Sequence, residues 1–172
     1  MSARVAVIKL GGAALPHKEA VLQDLRRARE EGWQVVLVHG GGPVISELMK
    51  RVGKEPVFVD GLRRTDAETL DIAVMALAGK VNTELVATLQ LGGTPAVGLS
   101  GVDGGFIRAH RQTEPDIGFV GAVDTVDPAP LRALFLAGYV PVVAPVALGP
   151  DGPLSINADT VAGDIACARG AE

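Results

Sequence analysis

The sequence predicts a single α/β domain over residues 1–172, built on a mainly parallel sheet, and three observations predict it. Val5 to Leu10 is an apolar run broken only by Lys9 and closed by Gly11-Gly12, the pattern of a strand buried on both faces. An amphipathic stretch and a second apolar run, Gln34 to His39, follow at short spacing, so the two strands join by a right-handed crossover and run parallel. Composition agrees: 48% hydrophobic residues and 22 glycines with only 3% aromatics describe an aliphatic core with many tight turns.

Each element follows from local pattern. Lys18 to Glu31 reads as an amphipathic helix, with Val21, Leu25 and Ala28 on one stripe, Asp24, Arg27, Glu30 and Glu31 on the other, and Gly32 as its stop. The second strand ends at Gly40-Gly41-Gly42-Pro43, and Pro43 suits the first turn of a helix, where its missing N–H costs nothing. Val57 to Asp60 and the loop Gly61-Leu62-Arg63-Arg64 lead to Thr65-Asp66-Ala67-Glu68, where Thr65 and Glu68 fit a capping box. The helix behind it carries Leu70, Ile72, Ala73, Val74, Met75, Leu77 and Ala78. It is apolar around most of its circumference and must be covered on more than one side, by a second copy or by its own domain.

A separate helix spans Val81 to Leu91, and a buried strand, Ala96 to Leu99, opens into the glycine-rich Ser100 to Gly105. Phe106 to Ala109 and Gly118 to Val123 pair as a hairpin, and Pro128 to Ala137 forms a short helix closed by Gly138. Val140 to Ala144 is a strand, Gly149-Pro150-Asp151-Gly152 a turn, and a last helix follows Ser155-Ile156-Asn157-Ala158-Asp159.

Several function classes are excluded. A net charge of −4 without a basic block offers nothing to nucleic acid or to an anionic membrane surface. The single Cys167 excludes an internal disulfide framework, and the N-terminus runs directly into the first strand without a signal-peptide core, so the reading is cytoplasmic. Apolar stretches are broken by Gly, Pro or charge well before the roughly 18 residues of a membrane helix. No Gly-x-x-x-x-Gly-Lys and no Gly-x-Gly-x-x-Gly follows a strand, no serine sits in a Gly-x-Ser-x-Gly elbow, and His17, His39 and His110 lack partners at zinc spacing.

What remains is a site for an anion. At residues 39–43 strand, bare glycine loop and helix N-terminus converge, so free N–H donors and partial positive charge point at one place, suited to a phosphate or a carboxylate. The topology gathers Lys9, the glycines at 40–42, Arg63, Asn157 and Asp159 near strand carboxyl ends, where open parallel sheets bind ligands. Each has an ordinary alternative. Lys9 can be a solvated strand end, Arg63 a surface charge, Asn157 an N-cap, and Asp159 a first-turn acid favoured by the helix dipole.

The combination is far more specific. Lys9-Leu10-Gly11-Gly12, Val38-His39-Gly40-Gly41-Gly42-Pro43, Gly61-Leu62-Arg63-Arg64-Thr65-Asp66, Val97 to Gly104, Gly118-Phe119-Val120-Gly121 and Ile156-Asn157-Ala158-Asp159 resemble, in this order, segments of the amino acid kinase family. The Gly-Leu-Arg-x-Thr-Asp segment resembles the acetylglutamate branch of that family. The resemblance implies a three-layer αβα sandwich and transfer of the γ-phosphoryl group of ATP to the side-chain carboxylate of N-acetyl-L-glutamate, giving an acyl phosphate for arginine synthesis. It further implies a homodimer, and Mg2+ carried by the nucleotide without a protein ligand of its own.

On this resemblance Lys9 and Asp159 are the catalytic candidates, Gly41, Gly42, Arg63 and Asn157 bind the acceptor, and Gly11 and Gly12 bind phosphate. The residue types suit the chemistry. A glutamyl carboxylate with a pKa near 4.3 is ionised at neutral pH, so charge neutralisation and alignment are needed rather than a general base. Lys9 would steady phosphoryl oxygens, the glycine N–H groups would hold oxygens of either reactant, and Arg63 offers a planar fork for the α-carboxylate. Asp159, acceptor-only when ionised, would orient Lys9. His39 has no proton to take in this reaction and reads as structural, and Asp103 as a brace of its glycine turn.

Two departures are expected to matter. Ser155 stands where the family has a substrate-contacting asparagine, and the family continues past this sequence into a nucleotide lobe with a second lysine. The chain by itself is therefore expected to hold the acceptor with very low turnover, and to expose a sheet edge that lowers its solubility. It is also expected to lack the extra N-terminal helix of arginine-sensitive relatives. The competing readings are a non-catalytic module that binds N-acetylglutamate or dimerises, and a kinase for an acylated aminoadipate.

Overall fold

Four parallel strands form the centre of the computed structural model, which describes residues 4–11 and 18–169. They are β1 (Val5–Leu10), β2 (Gln34–His39), β5 (Ala96–Ser100) and β8 (Val140–Ala144), in the spatial order β1-β2-β8-β5. Helix α1 (Lys18–Glu30) crosses from β1 to β2, and the register sets Lys9 beside Val38 and Leu10 beside His39. The two strands therefore end together, and the loops after Leu10 and His39 open on the same edge.

Alternation of side chains gives each face of this sheet its own cover. Val36, Val38 and Val143 pack with Leu131 of α5 (Ala129–Leu136) and with Val161 and Ile165 of α6 (Ala158–Arg169). Val35, Leu37 and Val142 pack on the other side with Leu25 of α1 and with Leu85 and Leu89 of α4 (Asn82–Leu91). Helix, sheet and helix make the expected three layers.

A second four-stranded sheet lies beside the first. It contains β6 (Ile107–Arg111), β7 (Gly121–Val126), β9 (Val146–Leu148) and β10 (Pro153–Ser155), in the order β10-β9-β6-β7, antiparallel except between β6 and β9. The predicted hairpin is thus present, displaced by a few residues. Strands β9 and β10 have no counterpart in the sequence reading, because three residues flanked by Pro145, Pro150 and Pro153 carry too little alternation to register.

Two expectations near the site need correction. The helices predicted to either side of Gly79 form one continuous rod, α3 (Ala67–Val74) running through a π-helical turn, Met75–Val81, into α4. Its Ala67–Leu91 span has the length and hydropathy to cross a membrane, which counting interrupted apolar runs missed, but Ile72, Ala76, Leu77, Val81, Leu85 and Leu89 are buried within this domain. The N-cap of α3 is Asp66 and not Thr65: Asp66 accepts from the Thr69 amide at 2.9 Å, while the Thr65 hydroxyl donates to the Arg63 carbonyl. Glu68 points instead to Lys54, 2.7 Å away.

Candidate functional site

A cavity of about 290 Å3 opens at the carboxyl edge of β1 and β2, at the small end of the range for small-molecule pockets. Lys9, Gly11, Gly41, Gly42, Arg63, Asn157 and Asp159 all line it. Gly12 lies outside the described residues. Four separated segments of chain therefore deliver their polar groups to one place.

The floor is the loop between β2 and α2 (Gly42–Arg51), with Gly41 at the N-cap and Pro43 in the first turn. The Gly41 carbonyl accepts the Ile45 amide at 3.0 Å, and among the described residues the Gly41 and Gly42 amides have no protein acceptor. Both donors sit at the positive end of the helix dipole. Gly41 cannot carry a side chain cheaply: a Cβ there would lie 2.7 Å from Leu77 Cδ2, in the π-helical turn packed beneath the loop.

Lys9 enters from the last turn of β1. Its Nζ lies 3.0 Å and 3.2 Å from the two carboxylate oxygens of Asp159, in the first turn of α6. The Lys9 side chain is 32% exposed, enough to reach a bound anion while keeping this partner. Asn157 caps α6 through Oδ1, which accepts from the Asp159 amide at 2.8 Å. Its ordinary role as a cap is therefore realised, while its NH2 group has no acceptor among the described residues, and Asn157 lines the same cavity.

Arg63 lines the same cavity. Nη2 donates to the Gly42 carbonyl at 3.0 Å and to Ser46 Oγ at 2.9 Å, Nη1 to Met49 Sδ at 3.2 Å, and the guanidinium stands over the Phe58 ring at 4.8 Å. Partial burial lowers its pKa from a very high ordinary value, so it stays charged. These bonds use three of the five N–H donors, and among the described residues Nε–H and the second Nη1–H have no acceptor. Arg63 is carried on a short antiparallel ribbon, β3 (Phe58–Val59) and β4 (Leu62–Arg63).

That ribbon is anchored at both ends. On one side Lys54 Nζ binds both carboxylate oxygens of Asp66, at 2.9 and 2.8 Å, and Glu68. On the other, Thr65 donates its amide to the Ile117 carbonyl and accepts from the Phe119 amide, both at 2.7 Å. Gly118, between those partners, has φ +88° and passes so close that a Cβ would meet the Thr65 carbonyl oxygen at 2.1 Å. Only glycine fits there.

Sequence reasoning missed Ser46 and Phe58 as partners of Arg63. Ser46 lies four residues after Gly42 on the same helix face, which was the available signal. Ser155, noted as a departure, lines the cavity, and its amide donates to the Phe119 carbonyl at 3.0 Å. His39 does not line the cavity: it is fully buried, with Nδ1 3.0 Å from the Gly40 carbonyl oxygen and Nε2 3.1 Å from Asn82 Nδ2. Burial lowers its pKa, keeping it neutral at pH 7. Asp103 braces its turn by accepting from the Ser100 amide and hydroxyl.

Among the described residues no three His, Cys, Asp or Glu side chains are grouped as metal ligands, and the carboxylate in the cavity, Asp159, is engaged by Lys9. These residues do not fit a protein-held metal.

The profile of the amino acid kinase family matches residues 4–172. The acetylglutamate kinase of Symbiobacterium thermophilum is 53% identical over 183 residues, which cover 99% of this chain and 62% of that protein. The acetylglutamate kinase of Geobacillus kaustophilus is 46% identical, with 98% and 66% covered. The chain thus spans somewhat under two thirds of the length of these relatives. Among solved structures, the Streptococcus mutans protein smu.665 superposes with a TM-score of 0.90 at 27% identity, over 96% of this chain and 69% of that one.

Proposed function

The chain belongs to the amino acid kinase family, and we propose that its cavity holds N-acetyl-L-glutamate for phosphorylation by ATP on the side-chain carboxylate, a step of arginine synthesis. The observation that carries this is the presence of two cationic side chains, Lys9 and Arg63, in the lining of one 290 Å3 cavity together with glycine amides that have no protein acceptor among the described residues. A dicarboxylate with one reacting end and one anchored end needs such a division of charge.

In this reading Arg63 takes the α-carboxylate with an uncommitted N–H donor and its charge, and Asn157 offers its NH2 group to the acyl-amino-acid backbone. The side-chain carboxylate then lies over the Gly41 and Gly42 amides. One of its oxygens attacks the γ-phosphorus, the bond from phosphorus to the β–γ bridging oxygen breaks, and ADP leaves as the acyl phosphate forms. The nucleophile is already an anion, so no proton moves at the acceptor. Lys9, held by Asp159, and Gly11 beside it neutralise phosphoryl oxygens as charge spreads over them. Mg2+ would arrive on the nucleotide phosphates, and no step is assigned to it. The exposed Met75 on the α3 rod offers an apolar contact for a homodimer.

Calorimetry with N-acetyl-L-glutamate, followed by an ADP-release assay on adding ATP and Mg2+, tests the proposal. Saturable binding is expected, and ADP release separates transfer from mere holding. A chain that shows no affinity for N-acetyl-L-glutamate would refute it.

A further inference from the structure

His39 is a polar side chain with no exposed surface, at the end of β2, and the proposed reaction does not use it. Its hydrogen bonds fix its tautomer. Asn82 Nδ2 lies 2.9 Å from the Val142 carbonyl oxygen, an acceptor, so the atom facing it must be the amide nitrogen and not the amide oxygen. The second N–H on that nitrogen points to His39 Nε2 at 3.1 Å, which must accept. The proton of the neutral ring therefore sits on Nδ1, and Nδ1–H donates to the Gly40 carbonyl at 3.0 Å.

The Gly40 carbonyl and the Gly41 N–H belong to one planar trans peptide unit, so they point in opposite directions. With the carbonyl held toward His39 in the core, the Gly41 N–H is turned away from it, toward the cavity that Gly40, Gly41 and Gly42 line. This unit has glycine on both sides and no Cβ to resist a flip. The Gly40 amide is tied to the Leu10 carbonyl at 2.9 Å, which anchors one end and leaves the orientation of the next peptide to His39.

We propose that His39 and Asn82 are a positioning pair that locks the Gly40–Gly41 peptide with its N–H directed at the bound anion. Neither touches the ligand. Asn82, the first residue after the π-helical turn, holds the ring against β8; the ring holds the carbonyl, and the carbonyl sets the donor. The proposal rests on reading the cavity as the acceptor site, and its test separates the two.

Nitrogen-15 spectra of His39 in the unmodified chain should show Nδ1 protonated and Nε2 bare at neutral pH. His39→Asn places an amide nitrogen near the Nδ1 position and keeps the bond to Gly40, whereas His39→Gln extends toward Asn82 and loses it. The orientation of the Gly41 N–H vector, from residual dipolar couplings, should stay as in the parent for His39→Asn and change for His39→Gln. Affinity for N-acetyl-L-glutamate should fall about tenfold in His39→Gln and less than about threefold in His39→Asn, as for loss or retention of one aligned donor. An Nε2–H tautomer, or a His39→Gln chain with the parental Gly41 orientation, overturns the proposal. If a variant does not fold, the tautomer in the unmodified chain decides. An unmodified chain that fails to bind N-acetyl-L-glutamate, yet shows the expected tautomer and couplings, defeats the ligand and supports the pair.

Discussion

Arg63→Lys keeps the charge of the cavity wall and removes its geometry. The guanidinium reaches Gly42 O and Ser46 Oγ through Nη2 and Met49 Sδ through Nη1, and stacks on Phe58. Lysine is one atom shorter than arginine, so its ammonium gives up the Nη1 contact to Met49 Sδ and presents no plane to the ring. In this half-exposed setting the lost bond and the lost stacking each contribute about 0.5–1 kcal/mol, so the fold should lose about 1–2 kcal/mol. The ligand loses more, because a charge-assisted contact to a carboxylate contributes about 1.5–3 kcal/mol, or roughly 10- to 100-fold in affinity. Calorimetry with N-acetyl-L-glutamate and with 4-acetamidobutanoate, which lacks the α-carboxylate, isolates that contact. The first ligand should weaken by the full factor and the second by less than about threefold. Equal losses for both ligands, or none for the first, would show that Arg63 does not bind the α-carboxylate.

Two further outcomes follow from the same geometry. Gly41→Ala sets a methyl against Leu77 Cδ2 and should cost about 1–3 kcal/mol in urea unfolding, whereas Gly42→Ala meets nothing within 4 Å and should be neutral or stabilising by up to about 1 kcal/mol. Lys54 and the Thr69 amide hold the Asp66 carboxyl well below its ordinary pKa. Because the folded value lies below the unfolded one, this stabilisation is complete above about pH 4 and lost as pH falls through the folded value. Lys54→Met should therefore flatten part of the acid side of a plot of Tm against pH, and an unchanged acid limb would remove Lys54 from the account.

How much of this was legible depends on how far each signal reaches along the chain. The parallel sheet could be read because β1, β2, β5 and β8 are mostly aliphatic runs that need no partner to identify them. The residues of the cavity could be gathered because strand polarity alone brings the ends of β1 and β2 to one edge. The cap of α3 was misplaced by one residue because both Thr65 and Asp66 are good N-caps, and the choice is made by Ile117 and Phe119, some 50 positions away. The π-helical turn leaves no local trace. Its cause is tertiary: Ala76 and Leu77 face α2 and β9, while Val81, Leu85 and Leu89 face the sheet, and one rod must serve both surfaces. Phe58 read as part of an apolar stretch because its partner, the Arg63 guanidinium, lies across a ribbon of two-residue strands.

The two walls of the cavity are fixed by different means, and this bears on which acceptor they suit. Lys9 belongs to β1 of the main sheet, and the glycine floor follows directly on β2. Arg63 rides on a small ribbon held by Lys54 and Thr65, yet it also bonds directly to the Gly42 carbonyl, part of the floor itself. In the proposed pose, the distance between the group that would anchor one carboxylate and the amides that would receive the other is therefore set by a 3.0 Å contact. A homologue longer by one methylene, such as an acylated aminoadipate, could be accommodated only by pulling Arg63 off Gly42 and Ser46. That would forfeit two charge-assisted bonds for the gain of one buried methylene, about 0.8 kcal/mol. The balance favours the shorter glutamyl chain, and it does so through a contact within the protein that is present before any ligand binds.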